Sequence, residues 1–402
     1  MLDWLERQRR FDQSACGRSR KPAKATERST GTVHGAAEAG RPLSREGALQ
    51  GIGILAEAEE AVSSSNPVAR TSLDQLLSEA PILVADGGLG TSLFALGMPP
   101  GACPELLNVE CPEMVMEAHS GFLEAGCDII LTNTFGGNRR RLTLHGLQDR
   151  VAEINLAAVA LLRRLAGRLG RPVAVAGSVG PTGDLLAPLG PLEHDAAVEV
   201  FGEQIDALVR GGVDVVWIET MSSREELEAA YEAARSFRTP VVTTMSFDTH
   251  GRTMMGFRPE QLAAWSRAQT VLPAAVGANC GVGAGDVVLA VSELAKADPG
   301  TAIVAKANCG LPAYTEGHLA YPHGPEIMPT YVELAIRAGA RLIGACCGSG
   351  PRHIAAIREA VDCTRSTRRV TREEIARRLP HAPRPSRPAT AQRERRRRVT
   401  RT

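Results

Sequence analysis

Residues 211–245 read GGVDVVWIETMSSREELEAAYEAARSFRTPVVTTM. The run Asp214–Ile218 is short, Val-rich and apolar without alternation, as a strand buried on both faces requires. From Glu225 to Phe237 the apolar positions recur at helical spacing. A second strand-like run, Val241–Met245, follows directly. Strand, amphipathic helix and strand in so short a span make a βαβ unit of a parallel sheet.

The same alternation continues in both directions. Further apolar runs at Ile82–Ala85, Asp128–Leu131, Val173–Ala176, Ala275–Ala278, Ala302–Ala305 and Arg341–Gly344 bring the total to eight. Between them, Pro112 to Ala125 puts Val115, Ala118, Phe122 and Ala125 on one stripe. Residues 198–209, 259–271, 286–297, 326–338 and 352–361 show the same period. Gly126, Gly170, Gly211, Gly212 and Gly339 precede strands, where a glycine ends a helix well. Eight β-then-α units predict an α/β fold, a TIM (β/α)8 barrel over residues 76–362. A doubly wound open sheet would alternate too, but its dinucleotide fingerprint is not present in the expected form.

The flanks read differently. Residues 1–75 are rich in Arg, Ala, Gly, Ser and Thr without a sustained apolar period, and disorder is expected there. Residues 363–402 hold 14 Arg against 3 acidic residues, including Arg395 to Arg398 in succession, and are expected to be a disordered basic tail. The overall net charge of +1 therefore hides a body, residues 76–362, with 21 basic and 32 acidic side chains. An acidic body argues against nucleic acid as the ligand. The apolar runs fall short of the roughly 18 residues a membrane span needs, and no signal-peptide core opens the chain. A cytoplasmic protein is expected, with a hydrophobic exterior compatible with oligomers.

In a TIM barrel, chemistry gathers where strands end. The residues that follow the runs are Asp86–Gly87–Gly88, Thr132–Asn133–Thr134–Phe135, Gly177–Ser178, Glu219–Thr220, Ser246, Asn279–Cys280, Lys306 to Gly310, and Cys346–Cys347–Gly348. Cys280, Cys346 and Cys347 would converge on one face. Three thiolates leave a fourth tetrahedral position open, the design of a catalytic zinc site, while buried structural thiols are the plainer alternative. Cys309 is a fourth candidate. Asp86 and Glu219 suit an ammonium group, acid–base work or backbone hydrogen bonds. The glycines after Asp86 let a ligand carboxylate or phosphate approach backbone N–H groups. Arg139–Arg140–Arg141 reads as a solvated helix start, and His119 and His353 as helix residues without a ligand role.

Taken together, Asp86–Gly87–Gly88, Thr132–Asn133–Thr134–Phe135, Ala278–Asn279–Cys280 and Gly344–Ala345–Cys346–Cys347–Gly348 resemble the homocysteine S-methyltransferase family from about Pro81 to Val361. The stretch Met245 to Gly256 is most similar to bacterial betaine–homocysteine enzymes. The resemblance implies Zn2+ on Cys280, Cys346 and Cys347, with the homocysteine sulfur in the open position. It implies that Asp86 and Glu219 hold the substrate ammonium, and that Gly87, Thr132 and Asn133 seat its amino-acid end. It leaves Cys309 outside the metal set. The implied reaction gives methionine, with glycine betaine as donor. S-methylmethionine, or a corrinoid protein as partner, are alternatives, as is a non-catalytic zinc- or thiol-binding barrel. The mammalian-type betaine enzyme has Trp and Tyr where this chain has Ala102 or Cys103 and Gly136, so a cage here would fall to Phe94, Phe135, Tyr314 or Tyr321. Too few residues follow Val361 for folate and cobalamin domains, so a full-length methionine synthase is not expected.

Overall fold

The computed structural model describes residues 71–380, except 299, 316–317 and 366–367. Each apolar run forms a strand: β1 (Leu83–Val84), β2 (Ile129–Leu131), β3 (Ala174–Val179), β4 (Val215–Met221), β5 (Val241–Met245), β6 (Ala275–Cys280), β7 (Ala302–Ala307) and β10 (Leu342–Ala345). A short antiparallel hairpin, β8 (Ala313–Thr315) and β9 (His318–Ala320), is inserted after β7. The eight-stranded sheet runs in the order β1-β10-β7-β6-β5-β4-β3-β2, with every pair parallel. A parallel bridge between Ala85 and Ile129 joins the two ends and closes the TIM barrel.

The helices are α1 (Leu73–Glu79), α2 (Leu89–Ala95), α3 (Leu107–Glu110), α4 (Pro112–Glu124), α5 (Arg139–Thr143), α6 (Val151–Ala166), α7 (His194–Gly211), α8 (Arg224–Arg235), α9 (Pro259–Arg267), α10 (Ala284–Ala297), α11 (Met328–Ala338), α12 (Pro351–Cys363) and α13 (Arg372–Arg378). The strand side chains divide by parity. Ala174, Ala176, Val215, Trp217, Val242, Ala275, Val304 and Leu342 fill the barrel interior, and Val175, Val216, Ile303 and Ile343 pack beneath the helical layer. This two-sided burial explains why the runs are continuously apolar. Each large side chain so buried stabilises the fold by about 1.5–3 kcal/mol. Leu73 and Leu76 of α1 join the interior cluster and plug its lower end. Arg341 donates to the carbonyls of Leu77, Ala80 and Pro81, capping α1 where its carbonyls lack partners.

Several expectations need correction. The ordered chain does not stop at residue 362. Val370, Ile375 and Leu379 are buried in the main core, and Arg337 grips Glu374 with two 2.7 Å hydrogen bonds. Residues 370–380 are therefore a strap that ends with Pro380 O accepting from Gly285 N at 3.1 Å. At the other end, α1 begins within the stretch assigned to the extension. The remainder of both expected tails, 1–70 and 381–402, lies outside the described residues. Gly126, Gly212 and Gly339 do adopt positive φ at helix ends, but α6 stops at Ala166, so Gly170 caps nothing. Helix α9 ends at Arg267, four residues early, leaving Val271 and Leu272 exposed. Arg139 and Arg140 are surface residues, paired with Glu203, Asp149 and Asp184.

Candidate functional site

Three strand ends deliver the thiols. Cys280 is the last residue of β6, and Cys346 and Cys347 directly follow β10. Their Sγ atoms lie within 4.8 Å of one another, and none is in a disulfide. Backbone bonds fix the geometry: Cys346 N donates to Ala307 O at 2.8 Å, and Cys347 N to Asn308 Oδ1 at 2.9 Å. Asn308 Nδ2 in turn donates to Gly281 O at 2.7 Å, tying the two cysteine loops together. Cys280 has φ of 60°, a strained conformation for a side chain with a Cβ and a frequent mark of a working site.

The donor set fits zinc. Tetrahedral Zn–S bonds of about 2.3 Å place sulfurs roughly 3.8 Å apart, within the spread seen here. The crowding points the same way. The hydrogen bond from Cys280, followed by burial, pushes the Cys346 thiol well above its ordinary range. Three thiols that resist joint ionisation are relieved by a divalent cation among them. Cys309 is fully buried and stands apart from the group of three.

The loop after Cys347 approaches two neighbours closely. Gly348 has φ of 83°, and a Cβ there would fall 2.2 Å from the ring of Tyr321, which follows the hairpin. The ring thus lies over the cysteine loop. On the other side, Ser349 Oγ donates to Cys346 O at 2.7 Å and accepts from Gly88 N at 2.9 Å. A Cβ on Gly87 would meet that same Oγ at 2.7 Å. Gly87 N–H has no acceptor among the described residues, so a ligand carboxylate could accept from it.

Below the thiols is a polar layer. The β4 register against β5 shifts between Ile218 and Met221, and Glu219 sits in this irregularity. Ser178 Oγ donates to Glu219 Oε1 at 2.6 Å, and Oε2 accepts nothing among the described residues. Lys306, on β7, is only 2% exposed. Its Nζ lies 2.6 Å from Asp86 Oδ1 and 5.6 Å from the Trp217 ring centroid. Burial opposes the Lys306 cation, but Asp86 and then Glu219 outweigh it and hold its pKa above the ordinary lysine value. Burial raises the Glu219 pKa, against the pull of Lys306 and Ser178.

The structure thus brings Asp86, Glu219 and the three cysteines around one barrel mouth. Thr132 and Asn133 face other partners. Thr132 Oγ1 bonds Thr134 Oγ1 at 2.6 Å and accepts from Ser178 N at 3.0 Å. Asn133 Nδ2 donates to Pro104 O at 2.6 Å and Asn108 Oδ1 at 3.1 Å. Both side chains fasten the loop after β2 to its neighbours. Thr182, in the glycine-rich loop after β3, is tied through N and Oγ1 to Glu226 Oε1, so that segment shapes a turn. Lys306, Asn279 and Asn308 were given no role by the sequence, and Tyr321 only a place in a donor cage. A lysine inside an otherwise apolar strand was the available signal for the first.

Exposed aromatic side chains lie on segments that follow the strands. Phe94, Phe135 and Tyr314 are 50%, 38% and 78% exposed on segments that follow β1, β2 and β7. At the two positions where the mammalian-type enzyme is aromatic, Glu105 intervenes instead. Its Oε1 accepts from Gly136 N at 2.7 Å and its Oε2 from Cys103 at 3.3 Å.

Comparison with known proteins agrees with this geometry. Methionine synthase of Mycobacterium tuberculosis is 29% identical over 307 residues, 72% of this chain and 25% of that protein. Its counterpart in Mycobacterium leprae is 29% identical over 296 residues, covering 70% and 24%. The chain thus spans about a quarter of the length of these curated relatives. The crystal structure of the homocysteine methyltransferase MmuM from Escherichia coli, metallated form, has the same fold. It gives a TM-score of 0.61 at 24% identity over 71% of this chain and 99% of that one. The family model for homocysteine S-methyltransferase matches residues 83–361, which carry every barrel strand and all three site cysteines, and the chain belongs to that family.

Proposed function

We propose that the chain transfers a methyl group to the thiol of homocysteine, giving methionine, at a zinc ion on Cys280, Cys346 and Cys347. The observation that carries this reading is the group of three thiols within 4.8 Å at the barrel mouth, near enough to Glu219 to feel its charge. When bound, zinc supplies a Lewis-acid centre that keeps a fourth, substrate thiol deprotonated at neutral pH. Homocysteine also carries an ammonium and a carboxylate. Glu219 Oε2 receives the ammonium, and Gly87 N–H donates to the carboxylate. The loop bonds of Asn308 and Ser349 hold the cysteines still, so the barrier is lowered mainly by alignment.

The donor is glycine betaine. A quaternary ammonium is drawn to aromatic faces. Phe94, Phe135, Tyr314 and Tyr321 supply such faces on the segments around the opening. The substrate sulfur forms its bond to the methyl carbon as the N–CH3 bond breaks. The electron pair passes to nitrogen, the amine leaves uncharged, and no acid is needed.

A second donor, a methylcorrinoid protein, has its own support. Leu185, Leu189, Met254, Met255 and Leu311 are exposed on loops that follow strands, an apolar rim suited to a protein partner. The methionine synthase relatives extend well beyond the matched region. The zinc-loaded chain with L-homocysteine should be offered betaine, S-methylmethionine or a methylated corrinoid protein, and methionine measured. Methionine with betaine alone supports the reading. Methionine with another donor alone moves the assignment to that donor, and methionine with none overturns it.

A further inference from the structure

Resemblance assigns the substrate ammonium to two carboxylates, yet one of them already has a cation. Asp86 is 1% exposed, and both of its oxygens are engaged: Oδ1 by Lys306 Nζ at 2.6 Å, and Oδ2 by Leu131 N at 2.8 Å. Glu219 differs, with Oε1 bonded to Ser178 and Oε2 accepting nothing among the described residues.

We infer that Lys306 is a built-in counter-ion that withdraws Asp86 from the substrate pocket and leaves Glu219 as the sole acceptor for the substrate ammonium. This rests on the homocysteine reading above and assigns specificity within that site. Lys306 lies close enough to feel both carboxylates. Its link to Asp86 holds it away from Glu219, so it is a positioning residue rather than a catalytic one. A buried cation that loses its partner turns to the next available charge. Asp86→Asn alone should therefore release Lys306 toward Glu219, where it competes with the incoming ammonium. Removing Lys306 as well should restore the pocket. A pocket in which Asp86 binds the ammonium directly gives no such rescue.

The test is calorimetric titration of the full-length, zinc-loaded chain with L-homocysteine and with 4-mercaptobutanoic acid, which lacks only the amino group. The readout is the ratio of the two affinities. A charge-assisted hydrogen bond makes a preference of about 10-fold or more for homocysteine in the unaltered chain. D86N should erase most of that preference, and D86N/K306M should return it to within about 3-fold of the starting ratio, on the same scale. Glu219→Gln should lose it in either background. A double variant no better than D86N, with zinc content and melting temperature matched to it, overturns the inference. An unaltered chain that binds both thiols equally overturns the sole-acceptor assignment. One that binds neither overturns the homocysteine reading, and this inference with it.

Discussion

Asn279, on β6, and Thr220, on β4, exchange two hydrogen bonds across β5 at the barrel mouth. Thr220 N donates to Asn279 Oδ1 at 2.9 Å, and Asn279 Nδ2 donates to Thr220 Oγ1 at 2.6 Å. Thr220 has φ of 62°, costly for a β-branched residue and sustained only where the surroundings over-determine it. The neighbours of these two residues in sequence are Glu219 and Cys280. One amide thus couples the proposed ammonium acceptor to a proposed metal ligand. Asn279→Ala should leave Thr220 N without its partner and destabilise the fold by about 1–3 kcal/mol. It should also raise the KM for homocysteine more than it lowers kcat, because Glu219 loses its fixed position. Thermal melts and steady-state kinetics on the same sample check both.

The cysteines should separate cleanly by role. Cys346→Ser should abolish stoichiometric zinc binding, because two remaining thiols fall short of the three protein ligands an open catalytic site uses. Cys309→Ala should leave zinc content unchanged, since Cys309 lies outside the group of three. Metal analysis after dialysis against a mild chelator distinguishes them, with far-ultraviolet circular dichroism confirming that both variants are folded.

The Lys306–Asp86 pair should be more costly to break than to replace. Lys306→Met leaves a buried, uncompensated carboxylate and should destabilise the chain by about 3–5 kcal/mol. The double variant D86N/K306M removes both charges and should recover most of that loss. Chemical denaturation of the unaltered chain and the two variants gives the comparison. Equal losses in the single and double variants would mean that the pair is not the stabilising contact.

The strap over residues 370–380 should be acid-labile before the barrel is. Hydrogen bonds from Arg378 and then Arg337 hold the Glu333 carboxyl near a pKa of about 2, below its ordinary value of 4.5. A depressed folded-state pKa means that the stabilisation is complete above about pH 4.5 and is lost as pH falls toward 2. Hydrogen exchange of residues 370–380 should accelerate through that window. Ile375→Ala should loosen the same segment at neutral pH, at about 2–5 kcal/mol of local stability.

How much of this was legible beforehand follows from where the signal lies. The strand runs were legible because two-sided burial leaves few polar residues to blur them, as in Val173–Ala176. The cysteines were legible once strand ends were known to share one mouth. The strap was hidden because Arg372, Arg377 and Arg378 mask three buried apolar residues, Val370, Ile375 and Leu379, in a segment whose composition reads as solvated. Thr132 and Asn133 looked like ligand residues, and their side-chain bonds to Ser178, Pro104 and Asn108 join segments far apart in sequence, which no local pattern reveals. The commitment of Asp86 to Lys306 joins residues 220 positions apart, beyond the reach of any local reading.

The central claim is that the homocysteine thiol completes a metal site built from Cys280, Cys346 and Cys347. X-ray absorption at the zinc edge, recorded with and without L-homocysteine, tests it most directly. The account predicts three sulfur ligands and one lighter ligand in the free protein, becoming four sulfurs at about 2.3 Å when homocysteine is added. A sulfur count that stays at three with homocysteine at saturating concentration would contradict it.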